Sequence, residues 1–129
     1  MIDLVRDGDL LDLGVIRDLA DVTADSGCVF LRSVLERFAA DARGGLQRMH
    51  GYARSGDATS LAREAHRLKG SSGTVGAIRL AGECLEIERS ARAGVCTGME
   101  PKIAQALDVL DATRVGLAAF FRGTIAAPA

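Results

Sequence analysis

The chain is poor in aromatic residues. It has no tryptophan, one tyrosine and four phenylalanines, only 4% of its 129 residues. With 48% hydrophobic residues it can still fold, so its core must be aliphatic. Excess charge is also missing. Sixteen basic residues face seventeen acidic ones, a formal net charge of −1, which excludes a general attraction to nucleic acid or to an acidic membrane surface. No apolar run approaches the ~20 residues of a membrane span. The N-terminus has no basic segment followed by an apolar one, so no secretory signal is evident and a cytoplasmic location is expected. The three cysteines, Cys28, Cys84 and Cys96, are odd in number and unclustered, as expected of reduced thiols in the core or at its edge. The two histidines, His50 and His66, lie on either side of a turn with no third ligand, so no metal site is expected. The chain also lacks a phosphate-binding glycine-rich loop of the P-loop type and any kinase motif set, which argues against ATP binding and self-phosphorylation.

What remains is helical periodicity. No alternating strand pattern, internal repeat or low-complexity block interrupts it, and residues 1–129 read as one all-α domain. The first helix is expected at about 10–22, with Leu11, Val15, Ile16 and Leu19 on one side. Asp25-Ser26-Gly27 breaks it. The second, about 28–54, carries the stripe Leu31, Val34, Leu35, Phe38, Ala42, Leu46, Met49 and Ala53, and runs through Gly44-Gly45. Ser55-Gly56-Asp57 is the turn into a third helix, about 58–75. A fourth spans about 77–93, with Leu80, Ala81, Cys84, Ile87 and Ala91 inward and Gly94 as its stop. The fifth, about 99–122, tolerates Pro101 in its first turn and is striped by Ile103, Leu107, Leu110, Leu117 and Phe121. Residues 124–129 read as a frayed tail. Four longer helices with short connections predict an up-down-up-down antiparallel four-helix bundle, with the short first helix packed over one end.

The third helix carries the most informative stretch, Ala65-His66-Arg67-Leu68-Lys69-Gly70-Ser71-Ser72-Gly73. Asp57 is a good N-cap. Leu61, Ala65, Leu68, Ser72 and Val75 form a buried stripe, and at about 100° per residue His66 points roughly 140° away from its centre. Its face holds Ala62 and Arg63 one turn before it, Lys69 and Gly70 one turn after, and Gly73 beyond. Ala62, Gly70 and Gly73 leave the imidazole open. Each helical glycine costs up to ~1 kcal/mol against alanine, so two on one face suggest that close approach of another surface matters there. Lys69 can place a cation beside anything bonded to the ring and disfavours imidazolium. A neutral imidazole nitrogen is a competent nucleophile near neutral pH, so this setting suits reversible phosphorylation of His66. Ser71 and Ser72 lack the base partner of a nucleophilic serine. His50, near Gly51, lacks any comparable setting. Arg63 and Arg67 read first as solvating residues.

The run His66-Arg67-Leu68-Lys69-Gly70-Ser71-Ser72, followed by Gly76, Leu80, Cys84 and Leu85-Glu86, resembles the signature of histidine-containing phosphotransfer domains of two-component phosphorelays. The resemblance covers most of the chain. It implies that His66 accepts a phosphoryl group from a receiver-domain aspartyl phosphate and passes it to an aspartate on another receiver, with Lys69 assisting. It implies as partners the receiver domains of hybrid histidine kinases and response regulators, with Mg²⁺ supplied by the receiver and no cofactor held by this chain. The docking surface would comprise Ala62, Arg63, Gly70 and Gly73, with Leu11 and Val15 of the first helix as either a docking patch or merely a lid. A monomer is expected. Two rival readings stay open: a non-catalytic helical adaptor that binds a signalling partner, and the dimerisation half of a histidine kinase. The second needs an attached ATP-binding domain and two helices per chain.

Overall fold

The structure is a computed structural model that describes residues 10–22 and 29–126. Five helices cover most of them: α1 Leu13–Val22, α2 Val29–Ser55, α3 Ala58–Thr74, α4 Ile78–Arg92 and α5 Met99–Ala126. Helix ends follow local chemistry. The Asp12 side chain accepts from the Val15 backbone N–H (3.2 Å), so α1 begins after Asp12 and not at Leu10. The Asp57 carboxylate accepts from the Ser60 N–H (3.0 Å) and starts α3 as expected. Gly76 (φ +82°) and Gly94 (φ +82°) take the left-handed conformation that ends α3 and α4. α2 passes unbroken through Gly44-Gly45. The tail was expected to fray from Thr124, but α5 continues to Ala126, with no proline between its first turn and that residue to stop it. The turn expected at Asp25-Ser26-Gly27, Cys28 and the last three tail residues lie outside the described residues.

The four long helices form a closed ring in which α3 packs on α2 and α4, and α5 packs on the same two from the other side. This is the four-helix bundle that the stripes predict. Leu46 and Met49 of α2, Leu61 and Leu68 of α3, Leu80, Cys84 and Ile87 of α4, and Ile103 and Leu110 of α5 are fully buried. Each buried leucine stabilises the bundle by roughly 1.5–3 kcal/mol. The described core is aliphatic apart from Phe38 at its edge. Three stripe members, Val34, Ala81 and Leu107, are only half-buried.

α1 lies over the α3–α4 turn. The Asp12 N–H donates to the Gly76 carbonyl (2.7 Å), and the Arg79 N–H donates to that of Leu10 (3.5 Å). Leu10, Leu11 and Ile16 are buried beneath it. A Cβ at Gly76 would stand 3.0 Å from the Asp12 carbonyl oxygen and 3.1 Å from the Ile16 side chain. Glycine there therefore serves both the turn and the seat of α1. Among the described residues no helix is long and apolar enough to cross a membrane.

Candidate functional site

The α3 stripe Leu61, Ala65, Leu68, Ser72 and Val75 is buried, and its burial turns the opposite side of the helix outward. His66 stands on that side with 59% of its side chain exposed. Arg63, Gly70 and Gly73 are exposed beside it, and neither glycine has anything within 4 Å of a Cβ placed there. Ala62 is buried, which corrects its assignment to the open face: it lies next to Leu61 and is covered with the core edge.

The ring has a partner that the sequence reading missed. His66 Nδ1 lies 2.9 Å from Oε2 of Glu88, on α4. Glu88 is only 4% exposed, and it has two further donors. Lys69 Nζ donates to Oε1 (2.9 Å) and Arg92 Nε donates to Oε2 (2.8 Å). Burial alone would raise the Glu88 carboxyl, but the hydrogen bonds from Lys69, Arg92 and His66, with the Lys69 charge, outweigh it and hold it at about 2. An ionised carboxylate can only accept, so Nδ1 is the donor, and in the neutral ring Nε2 bears the free lone pair. A signal existed for Glu88. It lies four residues after Cys84 and three before Ala91, within the inward stripe of its own helix. A carboxylate in such a stripe needs donors from a neighbouring helix.

Lys69 thus has a definite place. Its ammonium does not lie free over the imidazole; it is bound to Glu88, with about a third of the side chain exposed. The neighbouring α2–α3 seam carries a second charged network. Glu64 accepts from Arg48 Nε (2.6 Å) and from Arg67 Nε (2.7 Å), while Arg67 Nη1 donates to Asp41 (2.8 Å). Burial would raise the Glu64 carboxyl; the two arginines lower it below its ordinary value. Arg67 therefore ties α3 to α2 and does more than solvate the helix. Gly45 lies under this network, where a Cβ would be 3.2 Å from Arg67 Nη2.

The apolar pair assigned to docking on α1 divides. Val15 is half-buried, whereas Leu11 is 3% exposed and belongs to the core, so Leu11 offers no docking surface. His50 lies on α2 near Glu100 of α5 (3.6 Å) and takes no part in the cluster around His66.

Comparison with known proteins identifies the family. The family model of the Hpt domain matches residues 33–115, which include His66, Lys69, Glu88 and Arg92. The fold is similar to the crystal structure of histidine-containing phosphotransfer protein B (HptB) from Pseudomonas aeruginosa PAO1. That similarity has a TM-score of 0.76 and 32% sequence identity, over 87% of this chain and 94% of that one. A comparison with curated proteins found no match. A helical bundle of this shape, an exposed histidine on its third helix and a family match across most of its length lead to one assignment: the chain belongs to the Hpt family and is a histidine phosphotransfer protein of phosphorelays.

Proposed function

We propose that Nε2 of His66 accepts a phosphoryl group from the aspartyl phosphate of one receiver domain and passes it to the aspartate of another. The observation that supports this most is the bond from Nδ1 to Glu88, which leaves the exposed Nε2 with its lone pair toward solvent. Phosphoryl transfer asks mainly for in-line positioning and charge neutralisation, so a fixed ring with a cation near it suffices on this side of the complex. Lys69 supplies that cation. The receiver supplies Mg²⁺ and the remaining catalytic groups; this chain holds no cofactor and has no autokinase activity. Receivers of hybrid histidine kinases and of response regulators dock on Arg63, Gly70 and Gly73, with Val15 at the edge. The chain acts as a monomer in the cytoplasm, its single domain spanning residues 1–129.

The test is incubation with a phosphorylated receiver domain. Wild type should acquire acid-labile, base-stable phosphate, and His66→Gln should acquire none. Glutamine can still donate to Glu88, so the variant should keep its helix content and its thermal midpoint to within a degree or two. Uptake that persists in the variant would move the acceptor elsewhere. No uptake by wild type from any receiver would leave the chain a helical adaptor.

A further inference from the structure

Glu88 does more than choose the tautomer. We propose that it holds the Nδ1 proton on the ring through the whole transfer cycle, so that the phosphorylated residue is a phosphoimidazolium ion-paired with Glu88, and no proton moves when the phosphoryl group arrives or leaves. This rests on the reading of His66 as acceptor.

The bonds balance without a proton. On entry the Nε2 lone pair forms the N–P bond, the aspartyl P–O bond breaks, and its electron pair stays on the departing carboxylate. The ring, still protonated on Nδ1, becomes a cation. On exit the P–O bond to the next aspartate forms, the N–P bond breaks, and its pair returns to Nε2. The leaving group is then a neutral imidazole. A ring that had lost its Nδ1 proton would have to leave as an imidazolate, a far poorer leaving group, or regain a proton first.

Three observations carry the assignment. The acceptor for Nδ1 is in place at 2.9 Å. It is 4% exposed, so water competes poorly for it. Both carboxylate oxygens are fixed, one by Lys69 and the other by Arg92. Charge agrees. The charged groups linked to the ring are Glu88 and Arg92 on α4 and Lys69 on α3, with exposed Arg63 one turn before His66 on α3. From α2, Arg48 and Asp41 are engaged with Glu64 and Arg67. The His66–Glu88–Lys69–Arg92 cluster has formal charge +1 with a neutral ring. Adding a phosphoryl unit while keeping the Nδ1 proton makes it neutral, whereas losing that proton would leave it negative. Glu88 is a positioning residue here: it acts through the ring and does not touch the phosphoryl group.

The experiment uses protein labelled with ¹⁵N-histidine and phosphorylated with phosphoramidate, a small phosphoryl donor that needs no receiver. Ring nitrogen shifts are followed from about pH 6 to about pH 9, the range in which histidine protonation is decided. The wild type should show phosphate on Nε2 and a proton on Nδ1 throughout. Glu88→Gln keeps an acceptor oxygen but no charge, and should lose that proton at a pH lower by about one unit or more. Above that point its transfer rate to a receiver should fall behind wild type by about tenfold per pH unit. The proposal is overturned if phosphorylated wild type lacks the Nδ1 proton at neutral pH, a result that needs no variant to fold. It is equally overturned if wild type and Glu88→Gln lose the proton at the same pH. Absence of phosphate on His66 would instead refute the acceptor reading, and this proposal with it.

Discussion

Lys69 has two tasks at one atom. Its ammonium donates to a buried carboxylate in the resting protein, and in the proposed transfer it also supplies a cation beside the phosphoryl group on His66. Lys69→Ala should therefore slow single-turnover transfer by about ten- to a hundredfold, the equivalent of one charge-assisted contact. It should also lower the melting temperature, because Glu88 is left a donor short. From the sequence alone, with Lys69 outside the apolar stripe, only the first effect is expected. Lys69→Arg keeps the charge but spreads it over a planar fork, and should recover stability better than rate. Rapid-quench transfer and thermal melts on both variants check the split. The residues of the site were unequally legible. His66, Lys69 and the two glycines stand within eight positions on one helix, where spacing reveals a face. Glu88 reaches the same site from another helix, and sequence spacing carries no information about which helices meet there.

Elements were easier to read than residues, because a bundle helix displays its burial as a stripe. The α3 stripe is wholly buried, and the α4 stripe is buried except for half-buried Ala81. The errors fell at the ends, where one side chain decides: the Asp12 cap delayed α1, and a tail without an early proline let α5 run on. The same sensitivity gives a paired prediction about glycines. Gly76→Ala places a Cβ against backbone at a positive φ, so α1 must shift. A cost of about 1–3 kcal/mol is expected, with faster amide exchange in α1 and weaker receiver binding if that helix borders the docking face. Gly45→Ala crowds only the flexible end of Arg67, with Arg48 and Glu64 side-chain atoms at ordinary contact distance (3.7 Å), and gains up to about 1 kcal/mol of helix propensity. It should be neutral or stabilising by urea denaturation. Destabilisation at Gly45 equal to that at Gly76 would show that the Arg67–Glu64–Arg48 network cannot give way.

At the scale of the molecule, two networks join α3 to its neighbours, one to α4 through Glu88 and one to α2 through Glu64. Both carboxylates titrate below their ordinary value of 4.5, Glu88 at about 2. A group with a depressed folded value contributes stability that is complete above the unfolded value and is lost as pH falls through the folded one. Urea midpoints should thus hold steady above about pH 4.5 and fall between there and about pH 2, and the fall should be shallower in Glu88→Gln. The bond at Nδ1 also bears on time. An imidazole with 59% of its side chain in solvent would ordinarily reorient within nanoseconds. This ring is tethered at one nitrogen to a carboxylate anchored in a helix seam, so its rotational entropy is lost when the chain folds and not when a receiver arrives. An arriving active site then meets an imidazole already aimed, and orienting the nucleophile adds little to the entropy of activation within the complex.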